Sequence, residues 1–458
     1  GVWHAAFVRS PHPHALIKGI DKDAALAVPG VHAVLTLDDL SDVMVSRRMV
    51  RHSNSGMPLD RCWAFALAPG EVSYVGEPVA IVIAESRYIA EDASALVMVD
   101  YEPLPFTADV RTAKESAPVR REINSNVITT YKVSFGDADA AFAKAAHVFK
   151  QELWQHRGGA HPIEPRGLIA SFDAMGDVLT VWSSTQLAHE ARYFIMKMLG
   201  LDENRIRVVT PDVGGGFGAK FILYPDEVAV SAASLLLQRP VKWIEDRREH
   251  FLASIHERDQ YWDVEAGFDD DGRLLGARGT MIGDAGAYTL QGINLHYNAS
   301  TNFPGPYILP HYKLQVSVVE TNKTPTAPVR GAGYPEGCFA MERVIDAIAR
   351  HRGLDRAEIR RRNLVPGNAI PYQTPMQARS TSAIVYESGD FPACLELALK
   401  SADYAGFPAR REKAKAGGRL LGFGISTGLK GTGRGPFESA IVRIGRSGKV
   451  SIYTGAMA

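Results

Sequence analysis

The chain of 458 residues is too long for one ordinary hydrophobic core and reads as about three domains. Lysine plus arginine balances aspartate plus glutamate at 51 each, which excludes the basic bias of a nucleic-acid or anionic-membrane binder. Hydrophobic residues make up 46%, with no run long enough to span a bilayer and no signal-like opening, so the expectation is a cytoplasmic protein.

In chain order, short β-rich runs such as Val31–Leu35 and Val79–Ala84 first alternate with helical stretches such as Arg87–Leu96. Glu77, in Gly76-Glu77-Pro78 beside one of these runs, reads as a surface or structural carboxylate. His12 and His14 read as loop residues rather than ligands. The proline- and charge-rich Glu102–Ser125 is a connector. Strands at Leu179–Ser183, Tyr261–Gly267 and Lys313–Glu320 then mix with helices at His189–Leu199 and Glu336–His351. His161 and Glu164 have a metal-like His-x-x-Glu spacing, but two ligands are too few for zinc. A last block has a helix at Phe391–Ser401, a basic turn, the glycine-rich Gly422–Gly435, and strands Ser439–Ile444 and Lys449–Tyr453. Cys62, Cys338 and Cys394 stand far apart without a CxxC and read as structural thiols; they cannot ligate an ordinary iron–sulfur cluster. Electrons from any redox reaction would therefore leave through another polypeptide or domain.

The richest stretch is Thr210-Pro-Asp-Val-Gly-Gly-Gly-Phe-Gly-Ala-Lys220, between the β-rich Arg205–Val209 and a helical run, Glu227–Leu237. Glycine lets a ligand touch the backbone, and the amides opening the following helix are expected to face an anion. As a P-loop the turn fails, because Gly218-Ala-Lys220 lacks the Gly-Lys-Ser/Thr ending. As a dinucleotide fingerprint, Gly214-x-Gly216-x-x-Ala219 fits. Its acidic partner would be Glu245, at the end of the strand-like Pro240–Glu245 and farther on than the usual spacing of about 20 residues. A tight turn without a ligand is the third reading.

Around the turn stand Trp182-Ser-Ser-Thr-Gln186, Pro328-Val-Arg-Gly-Ala-Gly-Tyr-Pro-Glu336 and Tyr386-Glu-Ser-Gly-Asp-Phe391. Near the start are Phe7-Val-Arg-Ser-Pro-His12, Pro29-Gly-Val31 and Tyr74-Val-Gly-Glu-Pro-Val-Ala80. In this order, over nearly the whole chain, they resemble the molybdopterin-binding subunit of the xanthine oxidase and aldehyde oxidase family of molybdenum hydroxylases. The resemblance implies an α+β fold. It places an α/β hammerhead domain over residues 1–111, a connector over 112–125, a first molybdopterin-binding domain over 126–367 and the start of a second over 368–458. The segment Gly353–Leu364 is similar to the helical signature that closes the first of these cofactor domains.

The same resemblance implies roles. Gln186 corresponds to the amide that hydrogen-bonds the apical oxo ligand, and Arg330 to the arginine lining the metal pocket. Gly215, Gly216, Phe217 and Gly218, with Gly331 and Ala332, correspond to backbone that approaches the cofactor. Molybdenum would be held by the pterin dithiolene, without a protein ligand. The implied cofactor is molybdopterin cytosine dinucleotide, with iron–sulfur and FAD subunits as electron-transfer partners. The implied reaction hydroxylates an aldehyde or N-heteroaromatic carbon with oxygen from water. Ala332 and Phe221 stand where purine oxidisers carry an aromatic residue and a glutamate, which argues against xanthine. The stretch Tyr372–Tyr386 is longer than the family's connector and would reshape either a substrate funnel or an interface.

In the family, a sequence like Ser451–Ala456 is followed by a Gly-Gln-Gly motif and a Gly-Glu loop carrying the general base; neither occurs here. The expectation is a fragment, or half of a split subunit completed by a second chain. Two other readings stay open: a nicotinamide-dependent dehydrogenase using Gly214–Ala219 and Glu245, and a noncatalytic scaffold.

Overall fold

The structure is a computed structural model that describes residues 1–50, 60–377, 382–431 and 439–454. Its architecture is α+β, built on two large sheets, each with its own core.

The first sheet has seven strands. In spatial order they are Ile206–Val209, Val178–Ser183, Gly167–Asp173, Val241–Ile244, Trp3–Arg9, Pro78–Ala84 and Val31–Leu35. Pro78–Ala84 reads Pro-Val-Ala-Ile-Val-Ile-Ala, and all its residues are buried, as a strand covered on both faces requires. Helix Pro225–Leu237 packs on this sheet, and its small residues from Val228 to Ser234 are all buried. Glu227 caps it by accepting from the Tyr224 amide at 2.9 Å. Trp3–Arg9 pairs in parallel with Val241–Ile244, so one sheet runs through both of the first two expected domains.

The second sheet has five strands, in the order Val127–Phe135, Tyr312–Val319, Leu274–Asp284, Gln260–Phe268 and His147–Gln155. Trp262, Phe303 and Tyr312 stack in its core, with ring centroids 5.8 and 5.4 Å apart. Helix Tyr334–Arg352 adds Met341, Val344, Ile345 and Ile348 to that core and ends at Gly353, whose φ is +65°. Asp355 then caps helix Arg356–Asn363 by accepting from the amides of Ala357 and Glu358. The fully buried Arg360 pairs with Glu342 at 2.5 Å and Asp346 at 2.9 Å.

In the last block, helix Phe391–Ser401 lies where the apolar spacing puts it, and Leu395 and Leu399 join the second core. The basic segment expected as a turn is instead a helix, Phe407–Ala416. Alanine, arginine, glutamate and lysine have high helix propensity, and this outweighs the lack of an apolar stripe. Part of Gly422–Gly435 falls outside the described residues. Strands Ala440–Ile444 and Val450–Thr454 pair antiparallel. Among the described residues, no helix is long and apolar enough to cross a membrane.

Candidate functional site

The glycine turn follows strand Ile206–Val209, and a single carboxylate oxygen holds it at both ends. Glu164 Oε2 accepts from the Gly214 amide at 2.6 Å and from Lys220 Nζ at 2.7 Å. Between these anchors, Gly215, Phe217 and Gly218 lie in the left-handed region, with φ of +90°, +53° and +103°. A Cβ on Gly216 would fall 2.3 Å from Gln186 Oε1, and one on Gly218 would fall 2.3 Å from the Pro328 carbonyl oxygen. At Gly218 the Pro328 and Val329 backbone leaves no room for a side chain, whereas at Gly216 a side chain would displace Gln186.

Gln186 is locked onto this turn. Its backbone N–H donates to the Lys220 carbonyl at 2.8 Å, and its side-chain Oε1 accepts from the Gly218 amide at 3.0 Å. Exchanging oxygen and nitrogen in the side-chain amide would set two donors against each other, so the Gly218 N–H fixes its orientation. Nε2 is thereby left to donate elsewhere. Among the described residues, the amides of Gly216 and Phe217 meet no acceptor.

The second loop joins directly to the first. The Arg330 amide donates to the Phe217 carbonyl at 2.9 Å, and the Arg330 guanidinium carbon lies 5.9 Å from the Phe217 ring centroid. Gly331, Ala332 and Gly333 all have positive φ, at +109°, +52° and +96°. Ala332 is held in that unfavourable conformation from both sides. Its amide donates to Val329 at 2.7 Å, and its carbonyl accepts from Asn298 Nδ2 at 2.8 Å. The structure thus brings Gln186, Gly215–Gly218 and Arg330–Ala332 together from three separate parts of the chain.

Behind the turn runs a buried ionic network. Arg166 bonds Glu245 at 2.5 Å and Asp226 at 3.1 Å, and stacks over the Tyr224 ring at 3.7 Å. Arg9, from the first strand, reaches the same Asp226 at 2.6 Å and Glu249 at 3.0 Å. His250 bridges Glu245 and the Ala160 carbonyl, each at 2.9 Å. Burial opposes charge on Glu245, yet Arg166 and His250 outweigh it and bring the carboxyl down to about 2. The network fixes the backbone on both sides of the segment that carries Glu164.

Several expectations are corrected here. The helix after the turn starts only at Pro225, and its first turn is occupied by the buried carboxylates of Asp226 and Glu227. Their negative charge opposes an anion at this helix start. Glu245 is 1% exposed and engaged by Arg166 and His250, so it cannot take the ribose role of a dinucleotide site. Strands Ile206–Val209 and Val241–Ile244 are separated in the sheet by two others, unlike adjacent parallel strands of a dinucleotide unit. Glu77 is structural rather than superficial: it is 3% exposed and accepts from the Ser73 amide at 2.6 Å and the Tyr288 hydroxyl at 2.9 Å. Burial pushes its carboxyl up to about 7.

Glu164, Arg166 and Lys220 are the residues that sequence reasoning missed. The His-x-x-Glu pattern drew attention to the right segment for the wrong reason, since Glu164 binds backbone and lysine while His161 packs against His250 and Phe251. His14 is buried and tied to Glu71 and the Pro105 carbonyl. Among the described residues, no group of three or more His, Cys, Asp or Glu is placed to hold a metal. Cys62 is a buried free thiol pushed up to about 11 by burial, whereas Cys394 is exposed rather than packed. Tyr372–Gln377 and Ala383–Tyr386 form a hairpin that walls a cavity of ≈ 610 Å³, which Tyr297, Asn298 and Tyr334 also line.

Fold and site together define a hammerhead followed by a cofactor-binding domain. Residues 119–364 match the molybdopterin cofactor-binding domain, and residues 1–105 match the aldehyde oxidase and xanthine dehydrogenase a/b hammerhead domain. The chain belongs to the molybdopterin-binding large subunits of the xanthine oxidase family. It is 36% identical to the nicotine 6-hydroxylase large subunit of Paenarthrobacter nicotinovorans, over 99% of this chain and 56% of that one. It is 33% identical to the carbon monoxide dehydrogenase large chain of Hydrogenophaga pseudoflava, over 100% of this chain and 59% of that one. Quinoline 2-oxidoreductase from Pseudomonas putida 86 superposes with a TM-score of 0.90 at 33% identity, covering 99% of this chain and 59% of its own. The chain thus spans less than two thirds of the length of these relatives.

Proposed function

We propose that the chain forms the molybdenum-cofactor-binding part of an oxidoreductase that hydroxylates an N-heteroaromatic compound at a ring carbon, with oxygen from water. The observation that carries this reading is the convergence of Gln186, the Gly215–Gly218 turn and the Arg330–Ala332 loop on one another. They fit such a group. Two glycines keep the turn free of side-chain bulk, the Gly216 and Phe217 amides have no acceptor among the described residues, and Gln186 holds its NH₂ in a fixed orientation. When bound, the molybdenum cofactor would supply the two-electron oxidation and the transfer of oxygen.

The chain's own residues would do the rest. Gln186 Nε2 and the open amides would donate to oxygens of the bound group, prearranged so that little reorganisation is needed. Arg330 would stabilise negative charge developing on a substrate atom, while the half-exposed ring of Phe217 offers a flat apolar face to an aromatic substrate. Phe221, also partly exposed, replaces the glutamate of purine oxidisers and adds apolar surface instead of a carboxylate. The names of the nicotine and quinoline relatives support a nitrogen heterocycle. Molybdopterin cytosine dinucleotide, iron–sulfur and FAD subunits, and a cytoplasmic location complete the proposal.

Purification of the intact native complex, with molybdenum measured per copy of this chain and a dye-linked screen of pyridines, quinolines and aldehydes, tests it. About one molybdenum per chain with heteroaromatic turnover is expected. A molybdenum-free complex would overturn the cofactor assignment, and turnover of aldehydes alone would overturn the substrate.

A further inference from the structure

The pairing of Glu164 with Lys220 has no role in the reaction described so far, yet both ends of the glycine turn lead back to it. Lys220 is 2% exposed, and its ammonium lies 2.7 Å from Glu164 Oε2. A buried ammonium is costly unless paired, so this carboxylate determines where Lys220 sits. The Lys220 carbonyl in turn receives the Gln186 backbone N–H at 2.8 Å and the Thr185 hydroxyl at 3.3 Å. Gln186 Oε1 then receives the Gly218 amide. The same Glu164 oxygen holds Gly214 at the entrance to the turn. Entrance, exit and the Gln186 side chain thus form one closed circuit of hydrogen bonds around four glycines, a segment with little conformational preference of its own.

We infer that Glu164 and Lys220 are positioning residues. Their ion pair clamps the two ends of the glycine turn; through the Lys220 carbonyl it places the Gln186 backbone, and through the turn's Gly218 N–H it orients the Gln186 side-chain amide toward the cofactor. The inference rests on the proposed cofactor site. Because the pair acts through Gln186 and the turn backbone, its loss should lower turnover more than substrate binding. Loosening a reacting geometry by about 1 Å costs on the order of 100-fold in rate.

The test uses the intact complex carrying Glu164→Gln, Glu164→Ala or Lys220→Met. Molybdenum content, kcat and KM are measured, together with amide hydrogen exchange across residues 214–220 and, as an internal control, across helix Pro225–Leu237. Glu164→Ala should lose kcat by about 100-fold with KM within about threefold of wild type. Faster exchange should be confined to residues 214–220. Glu164→Gln, which keeps an acceptor for the Gly214 amide, should recover kcat to within about tenfold of wild type, since about one charge-assisted hydrogen bond is weakened. If Glu164→Ala does not assemble, Glu164→Gln and Lys220→Met carry the exchange measurement.

Unchanged kcat and exchange in variants that keep their molybdenum would overturn the clamp and leave the proposed function standing. Faster exchange reaching into the helix, or no recovery by glutamine, would also overturn it, marking a general structural role. A wild-type complex without molybdenum would overturn the functional reading itself, while exchange confined to residues 214–220 would still report the clamp as a property of the fold.

Discussion

The Arg330 amide donates to the Phe217 carbonyl at 2.9 Å, and this one bond joins two loops that are remote in sequence. Phe217 has a φ of +53°, a conformation that a bulky residue holds only when its surroundings compel it. The carbonyl it presents to Arg330 is part of that compulsion. The neighbouring Gly218 lies against Pro328 and Val329, so the two loops approach at backbone distance.

That contact makes Gly218 intolerant of any side chain. In Gly218→Ala, a methyl group would lie 2.3 Å from the Pro328 oxygen at a φ of +103°. Strain and overlap together should cost about 3 kcal/mol or more if the loops stay together. If they separate instead, the loss appears as depleted cofactor. Thermal unfolding and metal analysis of the variant complex distinguish the two responses, and a fully loaded variant of wild-type stability would refute the contact.

Gln186→Glu isolates the donor. It keeps an oxygen for the Gly218 amide but replaces the NH₂ with a second acceptor that carries negative charge. Turnover should fall by about 100- to 1,000-fold, the range for deleting one prearranged donor. Steady-state kinetics normalised to bound molybdenum provide the measure.

Arg166 is the structural keystone behind the turn, with a side chain 3% exposed and two carboxylate partners. Arg166→Met would leave Glu245 and Asp226 buried without it and should destabilise the protein by about 3–5 kcal/mol. Urea unfolding of wild type and variant, at matched cofactor occupancy, would show it. Arg166→Lys should recover only part of the loss, because an ammonium cannot reproduce the fork that grips both carboxylates.

Glu77 should give the fold a pH dependence of its own. Burial raises its carboxyl from about 4.5 to about 7, so the native state holds a proton there that the unfolded chain has released. The stability it contributes is complete below pH 4.5 and is lost as pH rises through 7. The loss amounts to about 2–4 kcal/mol. Glu77→Gln should therefore narrow the stability difference between pH 5 and pH 8, as read by denaturant unfolding at the two values. An unchanged difference would show that Glu77 does not titrate in this range.

The sequence by itself determined the family membership and a part of the elements. Apolar alternation marks strands such as Gln260–Phe268, 3.6-residue spacing marks helices such as Tyr334–Arg352, and the ordered motifs identify the family because they are local strings of residues. It misread the segment Phe407–Ala416, where propensity acts without an apolar stripe. It misplaced the anion at a helix start because a linear reading cannot tell that Asp226 and Glu227 already fill it. The motifs already pointed Gln186, Phe217 and Arg330 to one pocket; only the tertiary structure decided that Glu164 and Lys220 join them and which atoms touch. Ion pairs and backbone contacts of this kind depend on distance in space. Charged residues scattered along a chain carry no periodicity from which their partners can be read.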